Sequence, residues 1–172
     1  MVIFISAVMN MKLFLKRDVA ATDTNFSIFD ESGNEKYRAA HIKTKVTKKL
    51  NMAVTDKRGE VVAKIRRLPI AGATAFVLKV GRTHITLVMV ITRRGVLSYF
   101  YGNNWHIIGD LAKKNFSIID VDKTVILNHR RQSGYAELEF YNAEHELYCV
   151  TASICANLIN TVEKPFVKTA NI

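Results

Sequence analysis

The chain has 172 residues, 49% hydrophobic and 23% charged, with 8 Gly and 2 Pro, which suits one globular domain and excludes a disordered or collagen-like polymer. Lysine and arginine number 25 against 15 acids, and the net charge of +10 favours anionic partners while saying nothing about fold. Two cysteines, Cys149 and Cys155, cannot staple a disulfide scaffold, no zinc-type CxxC occurs, and a chain without disulfides points to the cytoplasm.

The first nine residues, MVIFISAVM, are apolar but have no basic start and no small-residue cleavage site. They are about half the length a bilayer span needs. Residues 1–10 therefore read as an extension, either an extra strand or a start upstream of Met11, and residues 11–172 as a single domain.

Most of the remaining chain alternates with period two. Val61, Ala63 and Ile65 are interleaved with Lys64 and Arg66, and Ala136, Leu138 and Phe140 with Glu137 and Glu139, as half-buried strands require. Ile85 to Ile91 is nearly all apolar and reads as a strand buried on both faces. Asp30-Glu-Ser-Gly33 and Asp56-Lys-Arg-Gly59 place Asp first and Gly fourth, as hairpin turns do, and Val80-Gly81-Arg82-Thr83 is a third. This spacing predicts about ten strands with no βαβ alternation, a mainly antiparallel β protein. Asn25-Phe-Ser-Ile-Phe-Asp30 and Asn115-Phe-Ser-Ile-Ile-Asp120 agree at five of six positions, which suggests two related halves of a closed sheet.

One helix is predicted over about 144–163, with Asn142 as its cap, Glu144 and Glu146 in its first turn and Lys164-Pro165 beyond its end. No formal charge occurs from Leu147 to Val162, yet Thr151, Ser153 and Asn157 make this run too polar and too short to span a membrane. A helix without a charged face must be enclosed on nearly all sides, and in a β protein the inside of a barrel does that.

The chain is similar to the LURP-one-related family, which has the tubby C-terminal-like fold. The resemblance rests on Met11-Lys-Leu-Phe-Leu-Lys16, Phe26-Ser-Ile-Phe-Asp30-x-x-Gly33, Gly59-Glu-Val-Val-Ala-Lys-Ile65 and Trp105-His-Ile-Ile-Gly-Asp110, and covers Met11 to Val162. It implies a closed antiparallel β-barrel of about twelve strands enclosing one hydrophobic C-terminal α-helix. Tubby proteins resemble phosphoinositide-binding membrane tethers and phospholipid scramblases share the fold, but no motif here carries contact residues across position by position.

Catalytic and metal signatures are lacking. The five histidines form no HExxH, and His145 with Cys149 supplies two ligands where zinc needs more. Ser98 is not in a GxSxG elbow, Asp120 and Asp122 read as turn residues, and no phosphate-binding glycine loop occurs. No cofactor and no enzymatic activity are expected.

The basic residues stand out: Lys43, Lys45, Lys48 and Lys49; Lys64, Arg66 and Arg67; Arg93 and Arg94; Lys113 and Lys114; Arg130 and Arg131. Period two places Lys43 with Lys45, and Lys64 with Arg66, on outer strand faces. The first nine of these residues are the candidate contacts for an anionic ligand. The expected partner is an anionic membrane surface or phosphoinositide, met from the cytoplasm without a transmembrane span. The alternatives are nucleic acid, stacked on Tyr99, Phe100, Tyr101 or Trp105, a protein partner, or a charge that serves only solubility.

Overall fold

The structure is a computed structural model that describes residues 9–18, 25–42 and 51–159. Twelve antiparallel strands form one sheet: β1 (Met11–Asp18), β2 (Asn25–Phe29), β3 (Glu35–His41), β4 (Asn51–Asp56), β5 (Val61–Ile70), β6 (Ala73–Val80), β7 (Thr83–Thr92), β8 (Gly95–Tyr101), β9 (His106–Asp110), β10 (Asn115–Ile119), β11 (Val125–Arg131) and β12 (Ala136–Phe140). Their spatial order is β8-β7-β6-β5-β4-β3-β2-β1-β12-β11-β10-β9. The sheet rolls into a nearly closed barrel whose seam lies between β8 and β9, which touch without a hydrogen-bonded ladder. The count of twelve matches the family resemblance and exceeds the ten read from turn spacing.

Period-two patterning sets the inside of the barrel. Leu13 and Leu15, Phe26 and Ile28, Ile65, Leu78, Leu87 and Leu138 all point inward and are buried. The expectation that β7 is buried on both faces is corrected. Ile85, Leu87 and Met89 are buried, whereas Thr86, Val88 and Val90 are only half-covered. A barrel has one inside, and among the described residues no second layer packs on the outer face of β7.

The sequence echo resolves into a shared hairpin design. Both β2–β3 and β10–β11 carry a register shift at the last strand residue, after Ile28 and Ile118. In each, the opening Asp carbonyl accepts from the fourth turn residue, Gly33 N or Lys123 N. Lys123 holds a φ of 66° where Gly33 holds 80°. The β4–β5 hairpin repeats the register shift and the turn with Asp56 and Gly59 but without the sequence match, so the motif marks a turn rather than a half-molecule. Gly109 has a different reason for being glycine: at φ 98°, a Cβ would sit 2.9 Å from the Asn115 carbonyl on the paired strand β10.

Helix α1 (Glu146–Leu158) follows one turn of 3-10 helix at Ala143–His145, inside the predicted 144–163; residues 160–163 lie outside the described residues. Asn142 caps this turn as expected, its side chain accepting from Glu144 N at 2.9 Å. From Cys149 to Ala156 every residue of α1 is buried, Ile154 and both cysteines completely. The helix packs against β1, β5, β6, β11 and β12, and so occupies the lumen. The absence of charge is thereby explained: no position on this stretch meets water.

Candidate functional site

Ionisable groups inside the barrel are spent on holding α1. At its N-terminus, Glu146 accepts from Tyr37 Oη at 2.5 Å and pairs with Lys36 Nζ at 2.6 Å. Burial, followed by the Glu146 hydrogen bond, raises the Tyr37 phenol far above its ordinary value, so the hydroxyl stays a donor. At the other end, Lys114 leaves a left-handed turn (φ 62°) and its ammonium donates to the carbonyls of Ala156 and, at 2.9 Å, of Ile159. These are the orphan acceptors of the last helical turn, at the negative end of its dipole. Burial, with Arg131 acting the same way, lowers Lys114 to about 8. Lys114 is thus a cap and not part of a basic surface.

His129 completes this arrangement. Its Nδ1 lies 2.8 Å from the Lys114 carbonyl, which can only accept, so Nδ1 carries the proton. Its Nε2 accepts from Asn157 Nδ2 at 3.2 Å, and the ring stacks on Phe116. Burial pulls its pKa from 6.5 to about 4, and the nearby Lys114 charge acts in the same direction. Between these values the unfolded chain binds a proton that the folded chain refuses, so stability falls as pH falls. The predicted loss is about 3 kcal/mol between about pH 6.5 and pH 4. The depressed carboxylates Glu35 and Glu139 contribute only below their ordinary 4.5. Denaturant unfolding over that range checks this, and His129→Gln should flatten the fall above about pH 4.5.

The seam is closed by aromatic packing. Trp105 stands edge-on to Phe100, His145 and Tyr148, with centroids 5.1 to 6.1 Å apart, and Tyr148 Oη lies 2.6 Å from Thr83 Oγ1. Phe100 and Trp105, expected as possible stacking residues, are therefore core. Tyr99 and Tyr101 face outward, 50% and 62% exposed.

The predicted basic residues divide. Lys43, Lys45, Lys48 and Lys49 lie outside the described residues. Lys64 and Arg66 are exposed on the outer face of β5 as expected. Arg93 and Arg94 form the exposed turn between β7 and β8. Arg67 is exposed too but stands apart from them: it shares the inward parity of Ala63 and Ile65, faces Phe76 across the ladder, and donates to Thr74 Oγ1 at 3.4 Å. It lines a cavity of about 380 Å³ at the barrel mouth, beside Leu158 and Ile159, where α1 ends. Lys113 pairs with Asp110, and Arg130 with Glu137 and Glu139.

Side-by-side placement of the strands adds two cations. Lys79 on β6 sits directly opposite Lys64, and Arg82 stands in the β6–β7 turn. From Val61 to Gly109 the chain has no Asp or Glu, while Lys64, Arg66, Arg67, Lys79, Arg82, Arg93 and Arg94 all fall within it. The acids of the ion pairs stand instead on β3, β9, β12 and α1. Among the described residues no carboxylate pairs with a cation of β5–β8. Like charges opposed across a ladder cost stability, so folding alone does not favour the Lys64–Lys79 pair. Lys79 and Arg82 escape a sequence reading because each is isolated along the chain; only the register brings them to Lys64 and Arg66.

A family model for LURP-one-related proteins matches residues 11–152. The chain belongs to the LURP-one-related family. No curated protein matches it. Among solved structures it is similar to an X-ray structure of a protein from Arabidopsis thaliana, with a TM-score of 0.60 and 12% identity over 88% of this chain and 92% of that one. At that identity the likeness concerns the fold, a barrel around a helix, and family membership agrees with the motifs from Met11 onward. No helix among the described residues is long and apolar enough to cross a membrane.

Proposed function

We propose that this protein is a non-enzymatic binding module that docks on anionic phospholipid headgroups, from the cytoplasm, through the outer cations of β5–β8. The observation that carries this reading is the acid-free stretch from Val61 to Gly109, whose cations have no carboxylate partners among the described residues. Each cation near an anionic bilayer contributes about 1 kcal/mol, and an adjacent acid would offset it. A binding role is supported by the lumen, which α1 occupies, and by Glu146, Lys114 and His129, whose polar atoms are engaged in holding the helix. Family membership adds the barrel scaffold.

The test is sedimentation with phosphatidylcholine vesicles, with and without phosphatidylserine or phosphoinositide, beside a gel shift with DNA and RNA. The protein should pellet with anionic vesicles only and lose affinity steeply as salt rises. A gel shift without vesicle binding would replace lipid by nucleic acid as the partner. Binding to neither would return the charge to a solubility role. Charge reversal at Lys43, Lys45, Lys48 and Lys49 measures the part of the affinity that belongs to that segment.

A further inference from the structure

The outer face of β5–β8 is not basic throughout. Its cations stand at two ends, Lys64, Arg66 and Lys79 at one and the Arg93-Arg94 turn at the other. Between them, register stacks apolar side chains: half-buried Leu68 and Val88 flank Ala75, which they leave buried, and Val88 stands opposite Tyr99. The next row places Ile70 opposite Ala73 and Val90 opposite Leu97. Ile70 is 46% exposed, Leu97 52% and Tyr99 50%. The strand rise of about 3.4 Å per residue spreads the face over roughly 25 Å along β7. A solubility surface would fill these outward positions with polar side chains, as β12 does with Glu137 and Glu139.

We infer that this apolar band enters the interfacial layer of an anionic bilayer, so that the barrel lies on its β5–β8 side with Leu97 and Tyr99 seated below the phosphates. The inference rests on the function proposed above and goes beyond it, because headgroup recognition alone needs no apolar contact. Charge selects the occupant. An acid-free apolar band between two sets of cations fits a surface that is apolar inside and negative at the level of its phosphates. Tyr suits that depth, its ring in the acyl boundary and its hydroxyl toward the headgroups. Long Lys and Arg side chains at both ends reach the phosphates while their stems stay against the apolar rows. The two contributions differ in their response to salt: charge attraction is screened and apolar burial is not.

The experiment compares wild type with Leu97→Thr/Tyr99→Thr, both exposed strand positions given a β-favouring residue, in sedimentation with phosphatidylcholine vesicles containing about a third phosphatidylserine. Salt is raised from about 0.1 M to about 0.5 M. Wild type should keep a salt-resistant fraction of its binding, and the double variant should lose about tenfold in affinity at the upper salt while pelleting well at the lower. In a second measurement, Tyr99→Trp should shift its emission to the blue when anionic vesicles are added. Superimposable salt curves for wild type and variant, or an unshifted emission in vesicle-bound Tyr99→Trp, would overturn insertion and leave headgroup binding standing. No vesicle binding by wild type at any salt would overturn both. A wild-type dimer that L97T/Y99T dissociates would assign the face to a second copy of the chain and overturn the inference as well.

Discussion

Ile154→Asp should abolish the folded barrel. Ile154 is fully buried at the middle of α1 and belongs to the barrel's hydrophobic core. An unpaired charge in such a place costs several kcal/mol after relaxation, and protonating the group still leaves a polar carboxyl in the core. A domain of this size has about 5–15 kcal/mol of total stability, so one such change consumes most or all of it. The expected result is an insoluble or non-cooperatively unfolding protein. Ile154→Val, which keeps the chemistry and removes one methylene, should cost only about 0.5–1.5 kcal/mol and lower the melting temperature by a few degrees. Thermal unfolding followed by circular dichroism checks both. An Ile154→Asp protein that melts like wild type would mean that α1 is not enclosed.

That enclosure is the most legible feature of the sequence, and the reason is physical. A helix with one wet face carries charge on it, and the run from Leu147 has none, so its surroundings can be inferred without knowing which strands supply them. The hairpins are legible for a related reason: Asp30 with Gly33 and Asp56 with Gly59 encode a turn in four residues. What is not legible depends on register. Arg67 follows Arg66 in sequence yet belongs to the opposite face, at the barrel mouth, because a single step along a strand inverts the side chain. Lys114 reads as half of a basic pair; only the fold shows its ammonium at the end of α1. The apolar run of β7 implies two buried faces, since sequence cannot separate a covered outer face from an uncovered one. The acid-free stretch is present in the sequence throughout, but it becomes a surface only when Lys79 is placed opposite Lys64 and Val88 opposite Tyr99.

The second large effect concerns the surface. Lys64, Arg66, Arg93 and Arg94 are exposed and hold no carboxylate among the described residues, so replacing them leaves no buried partner behind. Surface substitutions of this kind usually change stability by less than about 0.5 kcal/mol, and removing mutual repulsion within the face should offset part of even that. Binding is another matter. Four cations near an anionic surface contribute about 4 kcal/mol together, and four glutamates in their places add repulsion of similar size. Affinity for anionic vesicles should therefore fall by about a thousandfold or more. Arg130 is the internal control: it lies on β11, already paired with Glu137 and Glu139, and Arg130→Glu should leave vesicle binding within about twofold of wild type. The decisive measurement is sedimentation of the Lys64→Glu/Arg66→Glu/Arg93→Glu/Arg94→Glu variant with phosphatidylserine-containing vesicles, beside Arg130→Glu and wild type. The quadruple variant, folded and soluble, should stay in the supernatant while the other two pellet; a quadruple variant that pellets with wild-type affinity would mean that the outer cations of β5–β8 do not hold the protein on the bilayer.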